Sequence, residues 1–218
     1  QISDVHIGLI IGKDRMEKIA DRIRDLKPDI LVSTGDLIDG GLNKLKTSIE
    51  PLSRINTKYG KFAVTGNHEY YAGIDASVAL TKKAGFEVLR GRGIDAGGVI
   101  NIAGVDDTSS ARFAGDFVYE KALLQGLPRN RFTVLLKHRP VVDKDAAGLF
   151  DVQLSGHTHG GQIFPFGYIV KIFFPLYKGF HRINDTSAVY TSLGTGTWGP
   201  PMRFIAPPEI TVIDIVHG

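Results

Sequence analysis

The feature that most restricts the fold of this chain is a recurring unit, a short apolar run that closes on a cluster of glycine, aspartate and histidine. Asp29-Ile30-Leu31-Val32-Ser33 runs into Thr34-Gly35-Asp36, and Lys61-Phe62-Ala63-Val64 runs into Thr65-Gly66-Asn67-His68. Phe132 to Leu136 leads to Lys137-His138, and Asp151 to Leu154 leads to Ser155-Gly156-His157. Such runs read as buried strands. Between them, Asp14–Leu26 carries Met16, Ile19, Ile23 and Leu26 at helical spacing and is stopped by Pro28. Helices are also predicted over Asn43–Ile55, Ile74–Ala84 and Phe117–Leu124, and further strands over Gly98–Val105, Ala188–Ser192 and Glu209–Val216. Strand–helix alternation with strands predominating late predicts an α/β layered fold with a mixed sheet. The polar clusters then fall at the C-terminal strand ends, where the loops of open α/β sheets converge.

At 218 residues the chain suits one core, a single domain over 1–218. A net charge of +3, from 26 Lys and Arg against 23 Asp and Glu, gives little pull on nucleic acid but suits an anionic substrate or membrane surface. The absence of cysteine excludes disulfides and thiolate metal sites. No uninterrupted apolar run approaches the ~20 residues that span a bilayer. Gln1-Ile2-Ser3 reads as the tail of a strand that begins upstream, as in a shortened or processed chain, so any signal or anchor upstream lies outside this sequence.

Five segments hold the residues suited to chemistry: Asp4-Val5-His6, Gly35-Asp36-Leu37-Ile38-Asp39, Gly66-Asn67-His68-Glu69, Lys137-His138-Arg139-Pro140 and Gly156-His157-Thr158-His159-Gly160. Of the seven histidines only His181 and His217 lie outside them, and these read as surface residues. On an extended segment residues i and i+2 share a side, so Asp4 with His6, and His157 with His159, can each aim two ligands at one point. Carboxylate, amide oxygen and imidazole suit manganese, iron or zinc, and without thiolate a structural zinc is disfavoured. Each segment alone has a bland reading: Asp-x-His by chance, Gly-Asn-His as a turn, His-Thr-His as an exposed strand end. Five of them in one order, each after a strand, favour a metal site.

The order D-x-H, G-D-x-x-D, G-N-H-E, H and G-H-x-H, from Asp4 to His159, resembles that of the calcineurin-like metallophosphoesterase superfamily. The resemblance implies a four-layer αββα sandwich of two mixed sheets flanked by helices. It also implies a hydrolase of phosphoric esters or anhydrides with two divalent metal ions, manganese first, with iron, zinc or magnesium as alternatives. By that resemblance Asp4, His6, Asp36 and His159 hold one ion, and Asp36 bridges to a second completed by Asn67, His138 and His157. His68 faces the leaving oxygen as general acid or stabilising cation, and Asp39 orients its imidazole. Water activated between the two ions attacks phosphorus in line, with no covalent enzyme intermediate. Gly40 stands where the protein Ser/Thr phosphatase branch carries arginine, which argues against protein phosphatase activity.

Finer similarity in His159–Ile163, Trp198–Arg203 and Pro207–Ile210 points to a bacterial branch of YkuE- and YaeI-like phosphodiesterases that includes a UDP-2,3-diacylglucosamine pyrophosphatase. It implies a phosphodiester or pyrophosphate bond in a lipid-linked or nucleotide-sugar substrate. A membrane-associated or exported protein follows, with a cytoplasmic one as the alternative. Arg139, Arg203 and Tyr70 are candidate substrate contacts, and Arg112 and Glu69 weaker ones; solvated charge, helix start or packing explains each as well. Ile163–Phe180 packs aromatic and aliphatic residues beside Lys171, Lys178, His181 and Arg182. That stretch either fills the core or meets a membrane interface or acyl chain. A nuclease or cyclic-nucleotide phosphodiesterase, and a non-catalytic scaffold, stand as alternatives. Against the nuclease stands the lack of a basic stripe, and against the scaffold the full ligand set.

Overall fold

The computed structural model describes residues 1–8, 10–41, 45–113 and 119–216, without the side chains of Arg112 and Phe113. Asn43 and Phe117, the predicted starts of two helices, His217, and the Arg112 side chain lie outside the described residues.

Two sheets face one another. The larger has six strands: β6 (Arg92–Ala96), β7 (Ile100–Gly104), β8 (Thr133–Leu136), β9 (Val152–Ser155), β10 (Gly179–Arg182) and β11 (Ala188–Thr191), in the order β10-β11-β9-β8-β7-β6. Its four central strands are parallel and its two edges antiparallel, so the sheet is mixed. The second is parallel: β2 (Leu31–Ser33), β4 (Lys61–Ala63) and β5 (Glu87–Val88) pair in the order β2-β4-β5. A bridge from Ile2 to Ser33 continues it into β1 (Ile7–Gly8), which pairs with β3 (Ile38–Asp39).

Side-chain alternation along the strands builds three apolar layers. Val32, Phe62, Val64, Ile102, Val134 and Leu136 fill the space between the sheets. Their neighbours point the other way. Leu31 and Ala63 join Met16, Ala20 and Ile23 of α1 (Lys13–Leu26) and Ile49 and Leu52 of α2 (Lys46–Ser53). Ala103 and Leu135 instead meet Leu124 of α6 (Glu120–Gln125) with Ala146 and Phe150. Helices, sheet, sheet, helices: the result is a four-layer αββα sandwich. The remaining helices are α3 (Asn67–Ala72), α4 (Ile74–Lys83), α5 (Ser109–Phe113) and α7 (Phe166–Phe173).

Several elements depart from the sequence reading or decide between its alternatives. Glu209–Val216 forms no strand. It lies extended against the chain start, where Gln1 N donates to Thr211 O at 2.7 Å and Thr211 N to Gln1 O at 3.0 Å, and leaves Val212, Ile213, Ile215 and Val216 exposed. The run is apolar enough for a strand, but it finds no neighbour to extend a ladder. The edge strands β6 and β10 escape the periodicity because charged residues, histidine and glycine interrupt their apolar runs. The Ile163–Phe180 stretch does not fill the core, since α7 within it buries no residue.

The layer between the sheets carries much of the stability. Leu136→Ala, at a fully buried position in that layer, is expected to cost about 2–5 kcal/mol, read as a lower urea midpoint at unchanged m-value.

Candidate metal centre

The parallel strands of both sheets end at the same edge of the sandwich. β2 delivers Asp36, β4 delivers Asn67 and His68, β8 delivers His138 and β9 delivers His157 and His159, while Asp4 and His6 stand beside β1. The structure brings all seven expected ligands together in one arc. Asp4 Oδ1 lies 3.6 Å from His159 Nε2, which lies 3.0 Å from His6 Nε2. His6 Nε2 is 3.9 Å from Asp36 Oδ2, and Asp36 Oδ2 is 3.3 Å from His138 Nε2. His138 Nε2 in turn is 3.2 Å from Asn67 Oδ1 and 3.1 Å from His157 Nδ1. Asp36 thus sits between two groups of donors.

The backbone that achieves this is not the extended one expected. Asp4, His6, Asp36, His157 and His159 all have positive φ, between 50° and 72°. Left-handed residues flex the chain at each ligand, so the i, i+2 pairs converge through tight bends instead of a pleat. Two glycines let the bends nest. A Cβ on Gly66 would lie 2.1 Å from Asp36 Oδ1, and one on Gly156 would lie 2.1 Å from Asp4 Oδ2. The freed amides then serve the carboxylates: His68 N donates to Asp36 Oδ1 at 2.9 Å, and His157 N to Asp4 Oδ1 at 2.9 Å.

Sequence reasoning gave Glu69 too little. Its buried carboxylate accepts from Gly66 N at 2.7 Å, Asp36 N at 3.0 Å and Ile38 N at 2.9 Å, which ties the Asp36 loop to the Asn67–His68 turn. Burial, and then Asp36, push this carboxyl up to about 7 despite the three amides. An acidic residue at the start of a short helix was the available signal.

The donor set fits a cation. His138 Nδ1 lies 2.8 Å from the Thr34 carbonyl, so it carries a proton and Nε2 holds the lone pair of the neutral ring. That lone pair points at Asp36, Asn67 Oδ1 and His157 Nδ1, all acceptors or imidazole nitrogen. On the other side of Asp36, the buried His6 Nδ1 has no hydrogen-bond partner among the described residues. Burial opposes the charge of His138, but Asp36 and then Asp4 outweigh it and hold the ring up to about 10. Burial favours neutral imidazoles elsewhere: His6 is pushed down to about 4, His157 to about 3, and His159 well below its ordinary value. Asp4 is raised to about 6 by burial; burial also opposes Asp36, which His138 nevertheless keeps ionised.

His68 stands beside the arc. Its Nδ1 is 2.8 Å from Asp39 Oδ1, and its ring meets those of His6, Tyr71 and Trp198 at 4.6, 5.5 and 6.0 Å. The other candidates are placed differently. Arg139 is held by Asp107, Nε to Oδ2 at 2.7 Å, with its guanidinium partly exposed near His138. Tyr70 is buried in the wall, within the electrostatic reach of Asp106 and Arg90. Arg203 is committed to five carbonyls, those of His159, Leu193, Gly194, Gly196 and Ala206, and its Nη2 lies 3.0 Å from His159 Nδ1. It staples the ligand loop and leaves no donor facing outward.

Residues 1–161 match the calcineurin-like phosphoesterase family. The chain belongs to that family. As a calcineurin-like phosphoesterase it is a metal-dependent phosphoester hydrolase; the family implies divalent ions, and the His and Asp groups described above could hold them. It is 40% identical over 215 residues to an uncharacterized metallophosphoesterase of Aquifex aeolicus, covering 98% of this chain and 82% of that one. A Helicobacter pylori metallophosphoesterase is 34% identical over 220 residues, and there the chain covers 99% of itself but spans only 58% of the relative. The metallophosphoesterase YkuE of Bacillus subtilis is 33% identical over 231 residues, covering 99% and 77%. Among solved structures, a 5'-nucleotidase precursor from Thermus thermophilus shares the fold with a TM-score of 0.56 at 16% identity, over 88% of this chain and 48% of that one.

Two consequences can be measured. Because Asp36 and Asp4 hold the His138 ring charged up to about pH 10, metal uptake through that imidazole at pH 7 is expected to release a proton, and affinity to rise with pH; calorimetry in buffers of different ionisation enthalpy reads both. Glu69→Gln puts an amide against three N–H donors and is expected to weaken metal binding by roughly 10–100-fold.

Proposed function

We propose that this phosphoesterase works with two divalent ions that share Asp36. Asp4, His6 and His159 would complete one position, and Asn67, His138 and His157 the other. The observation that supports this most is the pairing of donor groups on either side of one buried carboxylate. Bound there, a pair of ions supplies Lewis acidity and a water-derived nucleophile at neutral pH.

The chain's own groups account for the rest. Asp39 fixes the tautomer and direction of His68 through Nδ1, leaving Nε2 as the group that protonates or steadies the leaving oxygen. Burial depresses the His68 pKa, but the Asp39 hydrogen bond and the Asp36 charge outweigh it, so the net shift is upward and the ring holds a proton more readily than a free histidine. Arg139, aligned by Asp107, would meet a phosphate oxygen. Trp198, Tyr71 and Phe174 stand around the centre through ring contacts with His68 and His157, which favours a substrate with flat or apolar parts beside its phosphate. A phosphodiester or pyrophosphate of a lipid-linked or nucleotide-sugar compound meets that description; manganese is the first metal to try, with iron, zinc and magnesium.

The deciding experiment compares bis(p-nitrophenyl) phosphate, a nucleotide-sugar pyrophosphate and DNA across those four metals, with metal content measured on the same samples. Turnover is expected on the first two and not on DNA, at two metal ions per chain. His68→Ala is expected to lower turnover by ~10²–10⁴ with metal content retained. One ion per chain at full activity, or metal lost in His68→Ala, would overturn these assignments.

A further inference from the structure

The loop that carries His157 and His159 leads directly into an amphipathic helix turned outward. Gly161 and Gly167 touch through their backbones: a Cβ on Gly161 would lie 2.3 Å from Gly167 Cα. That contact seats one face of α7 against the ligand loop and sends its large side chains to solvent. Phe166, Tyr168, Ile169, Ile172 and Phe173 are 54, 70, 53, 76 and 73% exposed. Spacings of three and four place them on a common outer side. The patch continues across the fold, because Phe164 N donates to Phe204 O at 3.1 Å, and Phe164, Phe204 and Ile205 are exposed as well. Eight large apolar side chains displayed together form the kind of exposed patch that marks an interaction site.

Charge decides what this face fits. From Val152 to Pro208 the sole acidic residue is Asp185, whereas Lys171, Lys178 and Arg182 are exposed around α7. A two-fold contact with a second copy would set these cations against themselves. A convex row of aromatic and aliphatic side chains edged by lysine and arginine matches instead the interface of an anionic bilayer, into which such helices sink ~5–10 Å. Among the described residues no helix is long and apolar enough to cross a membrane, so the contact lies on the surface plane.

We propose that α7 with the Phe164 and Phe204 loops docks this protein on anionic lipid. Phe174, just past α7, has its ring 5.0 Å from that of His157, so docking brings the centre to headgroup depth. On the two-ion reading above, this deepens the substrate class to phosphoesters of lipid headgroups presented in the membrane.

Co-sedimentation with phosphatidylcholine vesicles, with and without phosphatidylglycerol, tests the docking. Binding is expected to the anionic vesicles and to weaken at high salt. Ile172→Asp combined with Phe173→Asp is expected to cut binding at least ~10-fold, and Lys171→Glu with Lys178→Glu to reduce it and flatten the salt dependence. Both double variants should keep wild-type hydrolysis of water-soluble bis(p-nitrophenyl) phosphate. Wild-type protein that ignores anionic vesicles overturns the proposal. So does a dimer that the Ile172/Phe173 variant dissolves without vesicle binding by either form. Vesicle binding by a protein inert toward every soluble phosphoester leaves the docking standing and removes the phosphoesterase reading alone.

Discussion

Two carboxylates, Asp4 and Asp36, are buried at the tips of the strands, and most of the local structure answers that one cost. A carboxylate withdrawn from water loses several kcal/mol of solvation unless charges and hydrogen bonds replace it. Asp36 has His138 at 3.3 Å and the His68 amide at 2.9 Å; Asp4 has the His157 amide and the Ser3 hydroxyl. These partners are short of full compensation, which is why burial pushes Asp4 up and why the field of the pair keeps a proton on His138. Divalent cations are the missing counter-charge. On the proposed two-ion reading, a pair of them would offset both carboxylates without rearrangement of the apolar layers.

Holding that charge in place requires backbone that few sequences tolerate. Five of the seven expected ligands occupy the left-handed region, where a residue with a Cβ is strained by the order of 1 kcal/mol or more. The strain persists because each bend is locked from outside. Glu69 collects three amides from two loops, and Arg203 collects five carbonyls from the segments around His159 and Gly194. One lock is an anion among N–H groups, the other a cation among C=O groups. Each satisfies backbone that irregular loops would otherwise bury unpaired.

This division explains what could be read from the sequence. The central strands were legible because runs such as Leu31–Val32 and Val134–Leu135 are apolar on both faces, as strands buried between layers must be, while the four-layer arrangement was implied by the family resemblance. That these side chains would meet was legible because aspartate and histidine just after buried strands all fall at the edge where the strands end. The locks were not. Glu69 and Arg203 act through backbone groups far along the chain, and a carbonyl or an amide looks the same in every sequence. Arg203 in particular carries the composition of a phosphate receptor, and its commitment to Leu193 O and Ala206 O depends on the path of a loop. Glu209–Val216 failed for the opposite reason: strand propensity is local, but a strand exists only where another offers its edge.

The family match ends at residue 161, yet the centre is closed by glycines and an arginine beyond that point. Gly194 and Gly196 approach so near that a Cβ on the first would lie 3.1 Å from Asp4 Cβ, and one on the second 2.0 Å from the Val5 carbonyl. Arg203 then fastens the same two glycines under His159. Burial pulls the Arg203 guanidinium down to about 10 while Asp4 supports its charge, so a permanent cation sits behind the first donor group at any physiological pH. Residues 162–208 therefore have two duties that are physically coupled. Their inner side supplies the clamp and the fixed positive charge behind Asp4 and His159, and their outer side, through α7, displays the apolar and basic face. Motion of α7 against Gly161 would be transmitted to the ligand loop through backbone alone, because no flexible side chain intervenes between Gly161 and Gly167 to absorb it.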